Sequence, residues 1–234
     1  MRVGADPFLH LVAWYTEPFD INCSYPMNDL PYLIPAIPTQ FEEEIKKSVF
    51  ITQLAHTASV SAAKAFIEQV RKQHSSARHH CWGFVAGRPE NSMLWGFSDD
   101  GEPSGTAGKP ILAQLSGSKV GEITAVVTRY SGGIKLGTGG LVKAYGGGVQ
   151  QALKQLQTIE KKITAKLRLQ LDYAFVPIAQ SLLTQFGGIE IGANYGSSVE
   201  LLVEVEKRQV SGLTQSIINK SGAKALVFPY KQTD

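Results

Sequence analysis

The sequence predicts an α+β protein of two domains, and three features of its pattern carry that prediction. Strand-like and helix-like segments alternate through residues 33–160, the loops change character after Thr158, and residues 161–234 run through a compact βαββαβ order. Residues 1–32 stand apart. Phe8 to Tyr15 is a short apolar-aromatic stretch, and the Pro/Asn/Asp-rich piece through Tyr25-Pro26 and Asn28-Asp29 holds no period, so a disordered N-terminal extension is expected, with Met27 as the working start. The alternative for this stretch is an aromatic docking peptide.

From Leu33 the pattern is regular. Glu42 to Thr57 mixes Ile45, Val49, Ile51 and Leu54 with β-branched neighbours and reads as one long or bent strand, with Glu42-Glu43-Glu44 and Lys46-Lys47 as its solvated edge. Ser59 can cap a helix in which Val60, Ala63, Phe66, Ile67 and Val70 recur at helical spacing. Arg78 to Val85 reads as a strand, and Asp99 to Gly108 as a polar loop opening a helix over Ile111, Leu112 and Leu115. Glu122 to Arg129 has the Ile/Thr/Val content of a buried strand. Ser131 to Gly140 is a glycine loop, and Leu141 to Leu156 reads as a helix despite Gly146-Gly147-Gly148. A glycine inside a helix costs about 1 kcal/mol relative to alanine, so close packing or a ligand contact must explain these three.

The second domain is expected to place strands at 163–171, 189–195, 198–206 and 223–228 and helices at 175–186 and 209–219. Its helices present Ile178, Leu182, Leu183 and Phe186, and Val210, Leu213, Ile217 and Ile218, to a common sheet, which is the ferredoxin-like arrangement. The boundary is placed so that the first domain spans 33–160 and the second 161–234.

Composition excludes several classes. At 234 residues, 43% hydrophobic and 18% charged, with mean hydropathy −0.06, the chain is long and apolar enough for real cores and is neither disulfide-stapled nor fibrous. The net charge of +3 is far below that of an obligate nucleic-acid coat, so any RNA contact requires a local patch. Cys23 and Cys81 have no metal-type spacing and fit free thiols in a reducing compartment. With no export signal or spanning run, a cytoplasmic location and no membrane contact are expected.

Three polar stretches carry the candidate chemistry: Arg78 to Trp82, Ser98 to Pro110, and Arg129 to Gly140. Each ends a strand or starts a helix, where free N–H groups, glycines and nearby Lys or Arg favour a phosphate or carboxylate. The alternative is that these glycine loops are only tight connections. A phosphate loop of the Walker type fails, because Pro103 and Pro110 stand where Gly and Ser or Thr are required, and Val142 breaks a dinucleotide fingerprint at Gly137-Thr138-Gly139. Of His79, His80 and Cys81 at most His79 and Cys81 share a strand face, and no second cluster supplies a closed tetrahedral set, so a metal site is not the favoured reading. Cys81 is expected as a buried thiol beside Trp82. Asp99, Asp100 and Glu102 read as an ordinary turn ahead of a base or Mg2+ site, and one of them can supply the partner that Arg129 needs at the end of a buried strand.

Taken together, Arg78-His79-His80-Cys81-Trp82, Gly96 to Pro110, Arg129-Tyr130-Ser131-Gly132-Gly133 and Gly139 to Tyr145 resemble the IMPACT family over essentially all of residues 33–234. Ser131 stands where the family pattern has a second aromatic. The resemblance implies a first domain with the left-handed βαβ fold of some ribosomal proteins and GHMP-type small-molecule kinases, and a second similar to the last domain of elongation factor G. Eukaryotic members regulate translation with an additional N-terminal domain, and that role is not carried over. The implied function is non-catalytic binding of RNA or the ribosome and modulation of translation. The candidate contacts are Arg78, His80, Asp99, Asp100, Glu102, Ser104, Thr106, Lys109, Arg129, Tyr130, Gly132, Gly133, Lys135, Gly139 and Lys143. No cofactor or metal is expected, and the second domain offers a surface for a protein partner. The alternative is an enzyme acting on a small phosphorylated or carboxylated metabolite, with the three acids as base or metal ligand and Lys109 and Arg129 as clamps.

Overall fold

The computed structural model describes residues 29–230; the expectations placed on residues 1–28 lie outside them. The chain is mixed α+β and divides into two compact units, one spanning Pro31–Ile163 and the other built from Thr164 onward.

The first unit contains β1 (Tyr32–Pro35), β2 (Thr39–Ile45), β3 (Ser48–His56), α1 (Val60–Gln73), β4 (His79–Val85), β5 (Trp95–Ser98), α2 (Gly108–Gly117), β6 (Ile123–Tyr130), α3 (Thr138–Gln155) and β7 (Thr158–Lys161). Five strands form an antiparallel sheet in the order β2-β3-β6-β4-β5. Because β3 and β4 both run against β6, the connection through α1 steps over the central strand. Ser59 caps α1 by accepting the Ala62 N–H at 3.1 Å, and the helix buries Ala63, Ile67 and Val70 on Phe84 and Val126. The other sheet face carries Phe50, Leu54, Cys81, Ile123 and Val127, covered by Ile111 and Leu115 of α2 and Tyr145 and Val149 of α3. Alternation along β4 therefore sends Cys81 toward α2 and α3 and His80 toward α1.

Three local features differ from the sequence expectation. The expected long strand at 42–57 is the β2–β3 hairpin, with Ile45 paired to Ser48 across a two-residue turn. Lys46 and Lys47 form that turn with φ of 50° and 60°, a conformation that favours Asn-Gly and that Lys-Lys does not announce. α3 begins at Thr138 and so takes Gly139-Gly140 into its first turn. Finally, β1 and β7 pair in a separate two-stranded ribbon joining residues more than a hundred positions apart.

The second unit contains β8 (Thr164–Leu171), α4 (Val176–Gln185), β9 (Ile189–Tyr195), β10 (Val199–Glu206), α5 (Val210–Ser221) and β11 (Leu226–Pro229). The antiparallel order β11-β8-β10-β9 is that of the ferredoxin-like fold. Leu167, Leu169, Leu171, Leu201 and Val203 form the sheet side of its core, and Leu182, Leu183, Leu213 and Ile217 the helix side. The β9–β10 register shifts between Leu202 and Val203, a bulge in the edge strand.

The strained hairpin tip yields a direct test. Replacing Lys46-Lys47 by Asn-Gly relieves the left-handed lysines and is expected to raise stability by about 0.5–1 kcal/mol, read as a higher urea midpoint at unchanged m-value.

Candidate functional site

One edge of the five-stranded sheet gathers the polar stretches. Arg129 lies opposite both Phe50 and His79, so the start of β3, the start of β4 and the end of β6 share that edge. Loop 99–107 carries the chain from β5 to α2 there, and loop 131–137 carries it from β6 to α3.

All three acids of the first loop are turned inward. Asp99 accepts the N–H groups of Ala107 at 3.0 Å and Gly108 at 2.8 Å on one oxygen, and that of Gly105 at 2.8 Å on the other. It is thus the anion at the start of α2. Burial pushes its pKa up, but the three N–H donors and Lys109 outweigh burial and hold it below the usual carboxylate range. Asp100, at φ 42°, accepts Arg71 Nη2 at 2.8 Å and the His80 N–H at 2.7 Å. Glu102, with a side chain 4% exposed, accepts Arg129 Nη1 at 2.7 Å and the Tyr145 hydroxyl at 2.8 Å. The turn reading of these residues is the one realised, and Glu102 is the partner of Arg129.

The network beneath them is dense. The Arg129 guanidinium lies 5.6 Å from the Phe50 ring centroid, and Tyr145 meets the same ring edge-on at 5.3 Å. Cys81 is fully buried and its thiol donates to the Asp99 carbonyl at 2.9 Å; burial pushes its pKa up to about 12, which makes it inert as a nucleophile. Buried Ser48 accepts the Gly132 N–H at 3.2 Å. A Cβ at Gly132 would stand 1.7 Å from the Lys47 carbonyl oxygen, so only glycine lets loop 131–137 lie against the hairpin tip.

The remaining candidates separate into two groups. His80 is buried and donates through Nε2 to the His74 carbonyl at 3.1 Å, Thr106 is buried and donates to the Pro103 carbonyl at 2.6 Å, and Tyr130 bonds His74 at 3.0 Å. These three are bound into the scaffold, and the side chains of His80 and Tyr130 lie on the α1 side of the sheet. Arg78, Ser104, Lys109, Gly133, Lys135, Gly139 and Lys143 are exposed. Lys46 and Lys47, expected only as the solvated edge of a strand, join them at the hairpin tip. Their signal was a two-residue interval between alternating segments. None of these lysines, nor Arg78, forms a salt bridge among the described residues. Neither α2 nor α3 has a side chain of its own N-cap residue bonded at its start, but Asp99 accepts the first N–H groups of α2 and no side chain does so for α3 among the described residues. Among the described residues no group of three His, Cys, Asp or Glu side chains is placed to hold a metal, and no helix is long and apolar enough to cross a membrane.

These two units are those of a two-domain family. Residues 46–153 match the Impact N-terminal domain, and residues 169–224 match DUF1949, a domain of unknown function. The chain belongs to the IMPACT family: it is 56% identical over 190 residues to IMPACT family member YigZ of Escherichia coli K12, an alignment covering 81% of this chain and 93% of that protein. It is 44% identical over 196 residues to the Haemophilus influenzae IMPACT family member, covering 84% and 95%, and 34% identical over 186 residues to YvyE of Bacillus subtilis, covering 80% and 85%. A crystal structure described as a hypothetical protein shares 52% identity, with a TM-score of 0.63 over 87% of this chain and 98% of its own.

Two expectations follow. Arg129→Met strands the Glu102 charge and is expected to cost about 3–5 kcal/mol in chemical denaturation, while adding Glu102→Gln recovers a large part of the loss. Asp99, whose pKa is depressed in the folded state, contributes stability above the ordinary carboxylate pKa and loses it as pH falls through the folded value. Amide exchange at Gly105, Ala107 and Gly108, corrected for intrinsic rate, should therefore rise in acid before the sheet opens, and this step should vanish in Asp99→Asn.

Proposed function

We propose that this protein binds the phosphate backbone of RNA, free or within the ribosome, as a non-catalytic cytoplasmic factor acting on translation. The observation that carries the reading is the opposite disposition of charge at one sheet edge. Asp99, Asp100 and Glu102 are engaged internally, whereas Lys46, Lys47, Arg78, Lys109, Lys135 and Lys143 face solvent. Cations that form no salt bridge suit a polyanion. The metabolite-enzyme reading needs one of those acids free as base or metal ligand, and each already receives at least two donors.

Two further features support it. The uncapped start of α3, with Gly139 in its first turn, leaves N–H groups for a phosphate beside Lys135 and Lys143. Gly147 sits inside α3 where an added Cβ would meet nothing within 4 Å, whereas Gly148 would press on Thr52 Oγ1 at 2.7 Å. Packing accounts for Gly148 and does not account for Gly147.

The test is co-sedimentation of the protein with ribosomes and with deproteinised ribosomal RNA at low and physiological salt. Saturable binding is expected, with the slope of log K against log salt falling by about one unit for each of Lys47, Lys135 and Lys143 changed to Gln. Gly147→Ala should melt higher and bind more weakly. Unchanged slopes, or a stabilised Gly147→Ala that binds as before, would remove this surface from the interaction.

A further inference from the structure

At the opposite end of β6, outside the RNA-binding edge, a second buried acid gathers donors from three strands. Glu122, with a side chain 5% exposed and φ of 51°, accepts the Tyr32 hydroxyl of β1 at 2.8 Å, His56 Nε2 of β3 at 2.7 Å and the Lys161 ammonium of β7. The Tyr32 ring lies under Arg88 at 4.8 Å and Lys161 at 5.9 Å, and a Cβ at Gly121 would come within 2.8 Å of it. β1 has other anchors: Ile34 is buried, and the Leu33 carbonyl accepts the Gly121 N–H at 2.8 Å. β7 has few. Thr158, Ile159 and Glu160 are all exposed, and beyond its pairing with β1 its one buried engagement is Lys161 on Glu122.

Only Lys162 and Ile163 separate β7 from β8, the first strand of the second unit. We infer that β7 is a detachable strap, that Glu122 is its latch, and that the latch sets the length of the tether between the two units. Closed, the tether is those two residues. Open, it extends back to Leu156, which packs on the first core, and comprises the seven residues 157–163. Fully extended, seven residues span at most about 25 Å, and two about 7 Å. A change of that size decides whether two binding surfaces on separate units can engage one large partner together.

Limited trypsin digestion of the full chain reads the latch directly, because Lys161-Lys162 is a tandem cleavage site at the junction of strap and tether. The unmodified protein is expected to resist there, and Glu122→Gln to be cut at least tenfold faster while Arg71-Lys72 in α1 stays protected. Should Glu122→Gln also open at α1, the reading passes to Lys161→Gln, which removes the ammonium charge from the surface of the cluster and should speed cleavage after Lys162. Equal rates in unmodified and latch-deficient chains, or no acceleration after Lys162 in Lys161→Gln, overturn the inference.

Discussion

The buried pair of Glu102 and Arg129 is the constraint from which the organisation of this sheet edge follows. Removing two such charges from water costs several kcal/mol per ion, and the cost is met only where geometry and further hydrogen bonds are good. Here the Tyr145 hydroxyl completes one partner and the Phe50 ring lies beside the other. An apolar pair of equal volume would fill the space, but it would not fix direction. The ion pair holds the loop before α2 to the end of β6, and Ser48 and Gly132 carry that attachment on to the hairpin tip. Elements distant in sequence are thereby held at one edge.

Two helices begin at this edge under opposite electrical conditions. α2 already has its anion, because the Asp99 carboxylate occupies the donors at its start. α3 has none, and its first turn is glycine-rich. An anion approaching from solvent would therefore meet competition at one helix start and free donors at the other.

Much of this was legible in the sequence, and the exceptions have physical causes. α1 could be read from Ser59 and the spacing of Ala63, Ile67 and Val70, and the order of the second unit from its period, because local chemistry and burial agree there. The β2–β3 hairpin was hidden by a turn whose residues contradict the usual turn preference. The β1–β7 ribbon was hidden because four-residue strands paired across the length of a domain leave no local period. The need of Arg129 for a carboxylate was readable from its place on a buried strand, but choosing Glu102 over Asp99 and Asp100 required knowing which acids the backbone N–H groups had already claimed.

The register shift in β9 bears on how many copies the molecule can join. Side chains alternate faces with a period of two, so one extra residue reverses which face every later side chain takes. A second β9 laid along this edge could match the apolar and polar faces on one side of the bulge and would be inverted on the other. Ile189 and Tyr195, both exposed on this strand, thus lack a continuous template for a neighbouring strand. The border of the four-stranded sheet is out of step with itself at this one point.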